Sequence, residues 1–242
     1  SRGLGDVYKR QDIDNAGEIA VSVPCGTMYG KSEDLIIVGA HHDTVYHAQG
    51  AVDDTSGTAS VLEMARQIAI IANESGTPEY TIRFCTWGGE EEGLWGSKAY
   101  VNANGNDLAR NLRLYINLDM NHVDIDMANR GNSLRIFSNS ATDINHVSDI
   151  IDMLNDEQPS LFSKYAVTLT KETTMPYNSD HAPFVYDLPD SVEGNALVCY
   201  GSGSWEYHTY KDDMSRFNEE SLGVSIIAYG TYIRYLAWPV EA

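Results

Sequence analysis

Short apolar runs with strand character end, one after another, in segments carrying His, Asp or Glu, and this pairing restricts the chain to few architectures. Residues 35–40 run into His41-His42-Asp43, residues 80–87 into Glu90-Glu91-Glu92-Gly93, and residues 112–118 into Asp119-Met120. Residues 196–200 lead through a Gly-Ser loop to Tyr207-His208. A fifth segment, Gly50-Ala51-Val52-Asp53-Asp54-Thr55-Ser56-Gly57, is glycine-flanked and opens a helix.

Between these runs the apolar spacing turns helical. Residues 58–72 place Val61, Leu62, Ala65, Ile68 and Ala69 at helical intervals behind Asp54-Thr55-Ser56-Gly57, an N-cap region. The acidic loop leads into a helix to about Val101, residues 144–154 form another, and residues 219–236 close the chain as an amphipathic helix. Further strands are expected at 18–23, separated by a Gly-containing turn from 35–40, and at 133–138 and 166–170. Strands alternating with helices predict an α/β fold, a three-layer α/β/α sandwich whose mixed, mostly parallel central sheet is flanked by helices on both faces. Ligands on such sheets bind beyond the carboxyl ends of strands, where four of the five donor segments fall.

At 242 residues the chain suits one domain with a large core. Its 16 Lys plus Arg against 35 Asp plus Glu give a formal charge of -19, which repels nucleic acid and anionic membranes. The sequence holds no apolar run of bilayer-spanning length. Cys25, Cys85 and Cys199 show no Cys-x-x-Cys spacing, so neither a cysteine zinc site nor a disulfide framework is signalled. Cys85 and Cys199 lie in apolar runs that suit buried, inert thiols.

Residues 1–11 back-translate in frame to the transposase adapter of sequencing libraries. They are expected to be an assembly artefact, leaving 12–242 as an N-terminally truncated catalytic domain.

The donor set has a specific chemistry. Zinc takes imidazole nitrogen and carboxylate oxygen, and two zincs sharing one carboxylate need about five such side chains from separated positions. On an extended strand end His41 and Asp43 project together while His42 points away, so His41 is the ligand. Asp43 then either holds the imidazole tautomer or orders its neighbour. Asp53 sits among small residues that let the backbone approach two cations, which makes it the bridge. Asp119 ends an apolar run where a carboxylate without a partner is costly. Of the acidic run, Glu91 is the ligand, Glu90 the base that takes a proton from metal-bound water, and Glu92 a solvated helix-start residue.

Together the segments His-x-Asp, Gly-Ala-x-Asp-Asp-x-Ser-Gly, Glu-Glu-x-Gly-Leu-x-Gly-Ser, Leu-Asp-Met and Ser-Asp-His-Ala-Pro-Phe resemble the co-catalytic di-zinc aminopeptidases, metallopeptidase family M28 of clan MH. The resemblance covers essentially residues 35–236. It implies two zinc ions, one held by His41, Asp53 and Asp119 and the other by Asp53, Glu91 and His208. Glu90 is then general base, Asp43 supports His41, and Tyr207 donates to the tetrahedral oxyanion. A cis peptide between Asp53 and Asp54 is implied as well.

The activity so implied is hydrolysis of the N-terminal residue of peptides by metal-bound hydroxide, in a protein of the extracellular space or cell envelope. Alternatives on the same fold are a carboxypeptidase, a glutaminyl cyclase and a non-catalytic receptor-like domain. A carboxypeptidase needs an Arg for the substrate carboxylate, with Arg130 and Arg135 as candidates. A receptor-like domain is expected to lose ligands or the base, and a cyclase lacks the full second set, whereas this chain has all of them.

Overall fold

The computed structural model describes residues 6–11, 18–122, 134–163, 165, 170–172, 174–189, 193–201 and 206–239. An interior strand of the sheet, β4 (Leu35–His41), is buried along its whole length as a strand covered on both faces must be. β5 (Thr81–Trp87) and β6 (Leu112–Asp119) flank it, both parallel to it. β9 (Ala196–Tyr200) continues parallel to β6. β7 (Arg135–Ser138) pairs antiparallel with β9, and β8 (Thr170–Glu172) parallel with β7. At the opposite edge β3 (Cys25–Met28) runs antiparallel to β5, giving the order β3-β5-β4-β6-β9-β7-β8. β1 (Asp6–Gln11) and β2 (Glu18–Val23) form a separate antiparallel pair.

Alternate strand residues feed two cores on opposite faces. Val38 and Ala40 of β4, Ile116 and Leu118 of β6, and Leu197 of β9 pack with helices α1 (Thr55–Ser75), α3 (Ala141–Glu157) and α6 (Glu219–Ala237). The intervening Ile37, Tyr115 and Val198 face α2 (Trp95–Asn111) and α5 (His181–Tyr186), against Tyr100, Val101, Leu108 and Phe184. Each Val, Leu, Ile or Phe among them contributes about 1.5–3 kcal/mol by leaving water. A short helix, α4 (Pro159–Phe162), follows α3. The three-layer α/β arrangement is the one the sequence pattern implies. Among the described residues no helix is long and apolar enough to cross a membrane.

Two close approaches explain glycines in this frame. A Cβ on Gly39 of β4 would stand 2.4 Å from Trp87 Nε1 and 2.6 Å from Tyr115 OH. One on Gly57 would stand 2.4 Å from Asp54 Oδ2 and 2.5 Å from the Leu118 carbonyl, so only glycine lets α1 start against the end of β6.

Several boundaries differ from the sequence pattern. α1 begins at Thr55 because Asp54 caps it, accepting from Gly57 N at 2.9 Å. α2 runs ten residues past Val101, since Leu108 continues its buried face through a polar stretch. The turn expected between 18–23 and 35–40 contains β3. Of the strands expected at 133–138 and 166–170, residue 133 and residues 166–169 lie outside the described residues, as do Arg130 and most of the Gly-Ser loop after β9.

The cysteine spacing signals no disulfide, yet Cys25 and Cys85 are bonded. They stand directly opposite each other in the antiparallel β3–β5 ladder, where facing Cβ atoms come within bonding reach. Cys85 is therefore not the inert thiol its apolar run suggests. Cys199 is a free buried thiol, pushed up to about 12 by its burial.

Candidate metal centre

The sheet delivers most of the donors through its register. His41 is the last residue of β4 and Asp119 the last of β6, on adjacent parallel strands. Glu90 and Glu91 follow the end of β5, and Asp53 precedes α1, joined to Asp54 by a cis peptide. His208 comes from a turn beyond β9. All lie at or past the carboxyl ends of parallel strands, where such sheets bind ligands.

Asp53 divides its two oxygens between two imidazoles: Oδ1 lies 3.1 Å from His41 Nε2 and Oδ2 lies 3.2 Å from His208 Nε2. Asp119 Oδ1 approaches His41 Nε2 to 3.9 Å, and Glu91 Oε2 approaches His208 Nε2 to 3.0 Å. Ligand atoms of His41, Asp53 and Asp119 lie within 4.8 Å of one another, as do those of Asp53, Glu91 and His208. A third such group, His41 with Glu90 and Glu91, brings Glu90 to the same centre.

Hydrogen bonds hold these side chains. The Asp43 carboxylate accepts from Glu90 N at 3.1 Å and Glu91 N at 3.2 Å, so it ties the acidic turn to the end of β4. Its carbonyl, rather than its carboxylate, is the nearer partner of His41 Nδ1, at 3.0 Å against 3.7 Å. Asp54 Oδ1 accepts from Met120 N and Gly57 N, both at 2.9 Å, fastening the end of β6 to the start of α1. Asp212 accepts from Val52 N at 2.7 Å and Asp53 N at 3.0 Å. Ser97 of α2 donates to Asp180. Non-glycine residues with positive φ border the centre at Leu94, Met120 and His208, a conformation that costs about 1–3 kcal/mol and clusters at functional sites.

Carboxylates crowd this centre. The described ion pairs of Asp53, Asp119 and Glu91 are all with His41 and His208. Burial pushes Glu90 up to about 9, opposed by His41 and reinforced by Asp180, Asp119 and Glu91. Burial, with Asp53 adding, lifts Glu91 to about 7. Asp119 is raised to about 6 by burial, and Asp180 to about 7, in both cases against the pull of His41. Burial would lower His41, but Asp53, Asp54, Asp119 and Glu90 outweigh it and raise its pKa well above the ordinary value. Glu91 Oε1, Asp54 Oδ2 and Asp180 Oδ2 are buried with no hydrogen-bond partner. Converged carboxylates and imidazoles with an orphaned buried oxygen suit a divalent cation that takes N and O ligands.

His42 points away and meets Thr86 Oγ1 at 3.1 Å. Tyr207 stacks on His208, ring centroids 3.7 Å apart, and burial followed by the charges of Asp53, Asp119, Glu91 and Glu90 raises its hydroxyl. Arg135 is on β7 with its guanidinium over the Phe137 ring at 4.5 Å. Sequence reasoning missed Asp212, which in Lys211-Asp212-Asp213 reads as a solvated pair, and missed Ser179, which donates to Asp119 Oδ2 at 2.7 Å.

A profile described as Peptidase family M28 matches residues 25–228. Among curated proteins, "Probable lipoprotein aminopeptidase LpqL" of Mycobacterium tuberculosis is 39% identical over 101 residues, 42% of this chain and 19% of its own length. "Aminopeptidase YwaD" of Bacillus subtilis is 28% identical over 204 residues, 79% of this chain and 39% of its own length. Among solved structures, an aminopeptidase from Aneurinibacillus sp. strain AM-1 is 25% identical with a TM-score of 0.67, over 93% of this chain and 50% of that one. The chain thus spans half or less of the length of these relatives.

Proposed function

The chain belongs to peptidase family M28, and we propose that it is the catalytic domain of a two-zinc aminopeptidase that removes the N-terminal residue of peptides. The observation that carries the reading is the divided carboxylate of Asp53, with Oδ1 toward His41 and Oδ2 toward His208 at 3.1 and 3.2 Å. His41, Asp53 and Asp119 would hold one zinc, and Asp53, Glu91 and His208 the other. When bound, zinc supplies Lewis acidity that makes water acidic near neutral pH and polarises a carbonyl oxygen.

The chain's own groups do the rest. Glu90, brought to the centre beside His41 and Glu91, takes the proton from the attacking water and passes it to the departing amine. Asp43 fixes the Glu90 and Glu91 amides, so base and ligand keep one geometry. Tyr207, beside the cluster on the exposed side of His208, donates its hydroxyl to the oxyanion. The Cys25–Cys85 disulfide supports an oxidising location, extracellular or cell envelope.

Zinc content measured on the purified chain, alongside aminoacyl chromogenic substrates and their N-acetylated counterparts, tests this reading. Two zincs per chain and cleavage confined to free amino termini are expected. Cleavage of N-blocked peptides from the carboxyl end, or no zinc uptake, would overturn it.

A further inference from the structure

We propose that Asp212 is a positioning residue that couples the turn bearing His208 to the backbone of Asp53, and so sets the second group of donors. The inference rests on the two-zinc reading above. His41 is held opposite Trp87 in the β4–β5 ladder and Asp119 opposite Tyr200 in the β6–β9 ladder, and Glu91 is anchored just past the end of β4 through Asp43. Among the described residues His208 has no such anchor in the sheet, lying in a turn with φ of 57° and a partly exposed ring.

Asp212 supplies the missing link. Asp212 N donates to the Thr209 carbonyl at 3.1 Å, and Thr209 N to the Glu206 carbonyl at 2.9 Å, so a short bonded turn separates Asp212 from His208. Its carboxylate is fully buried and accepts Val52 N and Asp53 N at 2.7 and 3.0 Å, while its carbonyl receives Ala51 N at 3.5 Å. Three consecutive amides before α1 thus close on one residue. Because both oxygens of Asp212 are engaged by main chain, the residue is oriented as a clamp and not as a further metal donor. The clamp relates Asp53 Oδ2 to His208 Nε2, the pair that shares the Asp53/Glu91/His208 group. Groups that orient metal ligands in this way are worth about 10–100-fold in metal affinity.

Zinc titration of the wild-type chain, Asp212→Ala and Asp212→Asn, with circular dichroism as a check on folding, tests the assignment. Both variants are expected to bind the second zinc about 10–100-fold more weakly and to lose less at the first, whose donors His41 and Asp119 end sheet strands and only share Asp53. Asp212→Asn should fall between the other two proteins, because its amide oxygen keeps one of the two acceptor roles. If Asp212→Ala does not fold, Asp212→Asn decides alone. Wild-type affinity at both sites, or an equal loss at both, overturns the assignment. A wild-type chain that takes up fewer than two zincs defeats the two-zinc reading itself, and the role of Asp212 falls with it.

Discussion

Ser179 donates its hydroxyl to Asp119 Oδ2 at 2.7 Å, from a loop 60 residues further along the chain. The bond ends a buried relay: Trp87 Nε1 donates to Tyr115 OH, Tyr115 OH to Asn117 Oδ1, and Asn117 Nδ2 to Ser179 Oγ, at 2.8, 2.7 and 2.9 Å. The donor at the end of β6 is thereby aimed along the α2/α5 face of the sheet, where the aromatic rings of Trp87, Tyr115 and Phe184 pack together.

Breaking this relay at its centre should cost stability before it costs chemistry. Tyr115→Phe preserves the ring stacked on Phe184 but leaves Trp87 Nε1 and Asn117 Oδ1 unpaired in a dry core. A loss of about 1–3 kcal/mol in urea unfolding is expected. An unchanged unfolding midpoint and slope would show that the relay contributes nothing.

The Cys25–Cys85 bond closes a sequence separation of 60 and fastens the edge strand β3 to β5, the strand that leads to Glu90. Replacing both cysteines with serine is expected to lower stability by about 2–5 kcal/mol. Thermal melts with and without reductant check this. Equal melting temperatures in the two conditions would exclude a stabilising role.

The strand ends and their donors were legible because each is announced twice, by an apolar run and by the His, Asp or Glu that ends it. β3 carries no such signal: Cys25-Gly26-Thr27-Met28 has one glycine and no apolar alternation, so the disulfide partner of Cys85 was invisible. The second half of α2 was equally hidden. Asn102-Ala103-Asn104-Gly105-Asn106 has poor helix propensity, and burial of Tyr100, Val101 and Leu108 in the core on either side of it supports the helix. Asp212 was missed for a different reason, since its partners are backbone amides about 160 residues away, and no local pattern marks a carboxylate that grips main chain.

Asp143 gives a pH dependence whose sign can be worked out. It accepts from Arg113 Nη1 and Nη2 at 3.2 and 2.7 Å and from the Tyr232 hydroxyl, joining β6, α3 and α6. Burial alone would raise its pKa, but the bonds from Arg113, Ser140 and Tyr232 outweigh it and hold the carboxyl below its ordinary value. With the folded pKa below the unfolded value of about 3.9, the unfolded chain binds the proton more readily. The contribution is therefore present above about pH 4 and lost as pH falls through the folded value. Asp143→Asn should be about 1–3 kcal/mol less stable near neutral pH, with the gap closing toward pH 3. A gap that stays constant between pH 6 and 3 would refute the ionic contribution.

Glu90 and Glu91 are neighbours in sequence with opposite expected tasks, and substituting each in turn separates them. Glu91 Oε2 sits 3.0 Å from His208 Nε2, within the donor group that also contains Asp53, so Glu91→Gln removes an anionic ligand. Weaker uptake of the second zinc should accompany its loss of activity. Glu90 approaches the centre beside His41 but is absent from the two groups that share Asp53. Glu90→Gln keeps the shape of the side chain and the backbone bond to Asp43 while removing the proton-accepting oxygen. It should therefore retain both zincs and lose turnover by about 10²–10⁴-fold, the usual worth of a general base. Zinc analysis and initial rates on the same preparations read both quantities. A Glu90→Gln protein with full zinc and full activity would remove Glu90 from proton transfer, and one that lost zinc as readily as Glu91→Gln would make it a ligand instead.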